Sequence, residues 1–188
     1  MNNWLEIDKQ GLQRTLERKG HAWMVFELVQ NAFDTDATRV DVTLTKPDKN
    51  GKSTLTCTDN STDGYRDLSE AHTLFGSSAK KADPTLRGRF NAGEKYVIVM
   101  CHSAKVTSTT GQVKFLANGK RTISDDVTTD KGTVFEGVLS LTDKEWHEVG
   151  RQVALLFPPI AMTYNGAEVR QRKPLLTFSD VLAGLGCA

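Results

Sequence analysis

Two stretches of helical periodicity open this chain, and they pass directly into a strand followed by another strand. Residues 8–19 carry Leu12 and Leu16 at i, i+4 behind Asp8, a helix-capping residue, and Gly20 breaks the pattern. A second helix is predicted over about 21–34. Arg39-Val40-Asp41-Val42-Thr43-Leu44 then alternates as a half-buried strand does, and Asp48-Lys49-Asn50-Gly51 is turn chemistry before a strand at about 53–58. Further along, the patterns predict helices at about 67–75, 93–101 and 143–156. They also predict strands near 103–109, 112–117, 120–124 and 133–139. Thr142-Asp143-Lys144-Glu145 fits a capping box, Asn118-Gly119 signals a hairpin, and a last strand pair turns at Asn165-Gly166. Strands that follow strands do not build regular βαβ units. The order therefore predicts an α+β two-layer sandwich, with a mixed, mostly antiparallel sheet and helices on one face.

Length and charge narrow the function. The 188 residues suffice for one domain with its own core. We place that domain at 1–160, with 161–188 as a final strand pair and the start of a following region. Net charge is +1, from 24 basic and 23 acidic residues, so nucleic acid binding by bulk charge is not indicated. No apolar run reaches the ~18 residues of a membrane span. The first residues lack the basic start and apolar core of a secretory signal. Cys57, Cys101 and Cys187 make an odd count without C-x-x-C spacing, which suits a reducing, cytoplasmic setting and gives no zinc motif.

Four constellations can carry chemistry. In Glu27-Leu28-Val29-Gln30-Asn31-Ala32-Phe33-Asp34, helical geometry puts Asn31 about 40° from Glu27 and Asp34 about 20° to its other side. The stripe reads carboxylate, amide, carboxylate over an apolar opposite face. It describes a solvated helix face equally well. Its sharper meaning is a hard-cation site, because an amide oxygen suits Mg²⁺, with a carboxylate beside it to polarise water. Asp59, at a strand end before Asn60-Ser61-Thr62-Asp63-Gly64, is either an Asx turn or an acceptor for an exocyclic amine. Gly88-Arg89-Phe90-Asn91-Ala92-Gly93-Glu94-Lys95 opens into an apolar helix. Its glycines and helix N-terminus suit an anion, and a solvated loop is the alternative. Lys131-Gly132-Thr133 before a strand is commonplace alone. Residues 76–93 form a long irregular segment with four basic residues, a length usually tied to function.

Rival motifs fail. Glu94 stands where a P-loop lysine belongs, and no G-x-G-x-x-G exists. The four histidines lack metal spacing, and the serines lack a G-x-S-x-G elbow.

The four pieces, in this order, resemble the GHKL ATPases: DNA gyrase B, the large heat-shock chaperones, sensor histidine kinases and MutL. The run Glu27 to Val42, through Ala37-Thr38-Arg39, is especially similar to MutL. Its N-terminal stretch and Asp-Asn-Ser-x-Asp-Gly form look closer to bacterial and phage ATPases of unclear role. The resemblance implies the Bergerat-type ATP-binding fold, with ATP and Mg²⁺ as cofactors. It makes Glu27 the catalytic base and Asn31 the Mg²⁺ ligand. Asp59 would bind the adenine amine, helped by Thr133. Residues 76–93 would be an ATP lid in which Ser78 and Lys80 touch phosphate. Gly88, Arg89, Phe90, Asn91, Ala92, Gly93 and Lys95 would cradle and neutralise the phosphates, with Asp34 and Gly64 completing the nucleotide contacts. It further implies slow hydrolysis, ATP-gated homodimerisation and coupling to a downstream domain of the same protein. The family's second motif is usually D-x-G-x-G. Here Ser61 and Asp63 hold the glycine positions and Gly64 follows one residue late; Asn91 stands at another glycine position. A nucleotide-sensing module with little hydrolysis, and an interaction domain without nucleotide, are the alternative functions.

Overall fold

The computed structural model describes residues 8–74 and 92–170. Its helices are α1 (Lys9–Glu17), α2 (Ala22–Phe33), α3 (Gly93–Met100) and α4 (Asp143–Val153). Its strands are β1 (Arg39–Leu44), β2 (Lys52–Asp59), β3 (Ser103–Ser108), β4 (Gly111–Phe115), β5 (Arg121–Ser124), β6 (Thr133–Ser140), β7 (Ala161–Tyr164) and β8 (Ala167–Glu168). The strands form one sheet in the order β5-β4-β3-β6-β2-β1-β7-β8. Neighbours are antiparallel except β1 and β7, which pair in parallel from Arg39 opposite Ala161 to Val42 opposite Tyr164. No described helix is long and apolar enough to cross a membrane.

The helices form one layer: α2 packs on β1 and β2 and touches α3 and α4, while α1 touches α3. Alternation dictates which strand residues meet them. Val40, Val42 and Leu44 of β1 and Ser53, Leu55 and Cys57 of β2 are buried, while the residues between them are at most half-buried. Met24, Val25, Leu28, Val29 and Ala32 supply the buried stripe of α2. Each fully buried aliphatic side chain contributes roughly 1.5–3 kcal/mol.

Local signals act as the sequence suggests. Asp8 caps α1, accepting from the backbone of Gln10 and Gly11 at 3.0 Å each. Thr142 and Glu145 form the reciprocal capping box of α4. Asn165 and Gly166 both take positive φ, 50° and 79°, as a two-residue type I′ hairpin turn requires. Two expectations are corrected. The helix expected at 67–75 is a single 3₁₀ turn, Leu68–Ala71. It has only two apolar anchors, at i and i+3, a spacing that a 3₁₀ turn aligns. The helix expected at 143–156 stops at Val153, because the Ala154 and Leu155 amides close back on Gly150 and Gln152, ahead of Pro158.

Candidate functional site

Strand periodicity carries Asp59 to the helix side of the sheet. It continues the inward row of Ser53, Leu55 and Cys57, at the end of β2. On the neighbouring strand β6, Phe135 lies opposite Cys57 and Thr133 begins the same inward row. The Thr133 amide donates to Asp59 Oδ2 at 3.2 Å. The Ser61 amide and hydroxyl both donate to Asp59 Oδ1, at 2.9 and 2.5 Å. The turn after β2 is thus an Asx turn whose carboxylate also lines a cavity. Gly132 makes the close approach feasible. Its φ is +63°, and a Cβ there would lie 2.1 Å from the Asp59 carbonyl oxygen. Gly64, with φ +60°, is equally constrained: a Cβ would stand 2.4 Å from the Ser108 hydroxyl.

The opposite wall is helical. Glu27 and Asn31 lie one turn apart on α2, and Ala92 and Gly93 begin α3. The Glu27 carboxylate rests on Gly93, where a Cβ would fall 2.0 Å from Oε2. Ala92 caps α3 without a side-chain hydrogen bond, so the first amides of the helix depend on other partners. Asp34 caps the far end of α2 and accepts from the Gln30 side-chain Nε2 at 3.2 Å; it is absent from the lining of the cavity.

The third wall carries charge. Glu94 and Lys95 are 4% and 6% exposed, and their charged groups lie 3.6 Å apart. The Tyr65 hydroxyl donates to Glu94, and the Lys95 ammonium stands 6.0 Å from the Tyr65 ring centre. Burial first, then the Glu94 charge, push the Tyr65 hydroxyl well above its usual range, so it remains a donor at neutral pH. Ser108 and Thr110 hold this wall in place. Ser108 accepts from the Tyr65 amide at 2.6 Å, and Thr110 donates to the Tyr65 carbonyl at 2.7 Å.

These walls enclose a cavity of about 550 Å³, within the range of small-molecule sites. It brings together Glu27, Asn31, Asp59, Gly64, Ala92, Gly93, Lys95 and Thr133. Ser78, Lys80, Gly88, Arg89, Phe90 and Asn91, and nearly all of the expected lid at 76–93, lie outside the described residues. Sequence reasoning missed Lys19, Tyr65 and Glu70, which also line the cavity. Lys19 sits 5.3 Å from the centre of the Trp23 ring. A cation just before the helix-breaking Gly20 was a weak available signal; Tyr65 had none. Cys57 lines the floor, and burial raises its thiol pKa, keeping it protonated. Among the described residues no three His, Cys, Asp or Glu side chains gather as metal ligands.

The family profile described as histidine kinase-, DNA gyrase B- and HSP90-like ATPase matches residues 22–148. The chain belongs to this ATPase family. The match runs from the first residue of α2 into α4, and so includes every described lining residue of the cavity but Lys19. Among solved structures, the ATPase region of Saccharomyces cerevisiae topoisomerase II bound to ICRF-187 (dexrazoxane) aligns with a TM-score of 0.58 at 14% identity. The alignment covers 80% of this chain and 49% of that one. Another structure of the same ATPase region gives 0.56 at 13% identity, over 79% and 48%. At such identities the likeness is one of fold, and this chain spans about half the length of those regions. A search of curated proteins finds no match.

Proposed function

We propose that the cavity binds Mg-ATP and hydrolyses it slowly. One observation carries this reading: Glu27 and Asn31 of α2 and Asp59 of β2, two separate stretches of an ATPase-family chain, line one cavity of about 550 Å³. The residues fit the ligand. Asp59 offers a carboxylate acceptor to the adenine amine, and Asn31 offers an amide oxygen to Mg²⁺. The N-terminus of α3, without a side-chain cap, offers partial positive charge to phosphate, and Lys95 adds a full one. Magnesium, when bound, neutralises charge on the phosphate oxygens. Hydrolysis adds water across the terminal phosphoanhydride to give ADP and phosphate, and Glu27 takes the proton of the attacking water.

The same reading includes ATP-dependent pairing of two copies and coupling to a following domain, on the strength of the family resemblance alone. Buried free Cys57 and Cys101 suit a reducing compartment such as the cytoplasm. The test is calorimetry and phosphate release for the parent, Asp59→Asn and Glu27→Ala. Asp59→Asn is expected to weaken Mg-ATP binding about 10- to 150-fold, the worth of one charge-assisted bond. Glu27→Ala is expected to bind normally and stop turning over. No heat and no thermal shift with the parent would overturn the proposal.

A further inference from the structure

We infer that Ser61 is a positioning residue for base selection, acting through Asp59; this rests on the reading that the cavity holds ATP. A carboxylate has about four lone-pair positions for donors. In Asp59 the described residues fill three of them. Ser61 fills both on Oδ1, with its amide at 2.9 Å and its hydroxyl at 2.5 Å. The Thr133 amide fills one on Oδ2 at 3.2 Å. What remains is one position, on Oδ2, matched to a single N–H of an exocyclic amine. Ser61 is 3% exposed and lines the cavity, so its hydroxyl hydrogen is committed to Asp59 rather than to bulk water. The Ser61 amide on Oδ1 and the Thr133 amide on Oδ2, at 2.9 and 3.2 Å, hold the carboxylate at both oxygens. The hydroxyl adds a third and shorter anchor, at 2.5 Å, which narrows the turn of the carboxylate about its Cβ–Cγ bond and thereby the direction in which Oδ2 presents its free lone pair.

The consequence is selectivity for the amine. Without the hydroxyl, Oδ1 regains an acceptor position and the carboxylate gains freedom to rotate. A purine bearing a 6-amine then loses part of its preorganised bond, while a purine lacking one loses nothing.

The experiment compares binding of ATP and of purine riboside triphosphate, which lacks the 6-amine, to the full chain with Mg²⁺. The parent is expected to prefer ATP by about 10- to 150-fold. Ser61→Ala should cut that preference by about 3- to 10-fold, leaving purine riboside triphosphate affinity within about 2-fold of the parent. Ser61→Thr, which keeps the hydroxyl, should retain the preference. Ser61→Cys keeps nearly the same volume with a weak donor and should behave as the alanine variant, a second route should that variant fold poorly. A parent that binds ATP, with the preference unchanged in Ser61→Ala and Ser61→Cys, overturns the role of Ser61 alone. Equal loss for both nucleotides also overturns it, since that is a structural effect. A parent that binds no ATP overturns this inference and the proposed function together.

Discussion

Gly93 and the Glu27 carboxylate occupy space that a single added methyl group would contest, since a Cβ at Gly93 would sit 2.0 Å from Glu27 Oε2. The far end of a glutamate moves readily, so the overlap is relieved by turning Glu27 aside rather than by unfolding α3. Alanine is also a better helix former than glycine by about 1 kcal/mol. Gly93→Ala is therefore expected to leave the melting temperature unchanged or slightly raised and, on the proposed role of Glu27 as base, to lower ATP turnover at least about 10-fold. Thermal unfolding and phosphate release on the same sample separate the two. A variant that keeps full turnover would show that the resting position of Glu27 against Gly93 is not the working one. Gly132 behaves differently. A side chain there meets the backbone of Asp59, which cannot swing away, and its φ of +63° disfavours any Cβ.

At the scale of elements, Thr142 and Glu145 make a self-contained test of a local signal. Burial draws the Glu145 carboxyl upward, but the Thr142 amide and hydroxyl and the nearby His21 outweigh it, and its pKa lies below the usual value. A carboxyl depressed in the folded state contributes its stability above the unfolded value of about 4.3, and loses it as pH falls through the folded value. Thr142→Ala is expected to cost about 1 kcal/mol at pH 7. That difference should shrink as pH falls through the folded-state pKa of Glu145, where the carboxylate takes up a proton in the parent too. Urea melts of parent and variant at pH 7 and along an acid series check this, and a difference undiminished throughout would place the cap energy elsewhere. The same contrast between local and distant explains what could be read in advance. The alternation of Arg39–Leu44 marks β1 end to end, and its continuation in β2 shows on which side Asp59 lies. Helical spacing puts Glu27 beside Asn31. Nothing local says that Tyr65 stands against Glu94, because Ser108 and Thr110, more than 40 residues on, hold that loop to the sheet. The segment after Asp67 forms only a 3₁₀ turn, because Leu68 and Ala71 satisfy the helical pattern for one turn only.

The whole molecule is closed by one pairing that no local pattern announces. Strand β7 lies parallel to β1, 122 residues after it at the Asp41–Thr163 hydrogen bond, and its Met162 is 1% exposed. Asn165 extends the join: its amide donates to the Val42 carbonyl and its side-chain oxygen accepts from the Leu44 amide, both at 2.8 Å. The end of the described chain is therefore part of the same core as its beginning. Met162→Ala is expected to cost about 2–5 kcal/mol. The loss should appear as an earlier midpoint of one cooperative denaturant transition with an unchanged slope; a separate early step confined to β7 and β8 would refute a shared core. The direction of this pairing also sets how the protein bears load. A pull applied at Arg39 and at Tyr164, the opposite ends of two strands running the same way, slides one past the other. The ladder between them then resists as a set of bonds strained together, where an antiparallel hairpin would have opened like a zip.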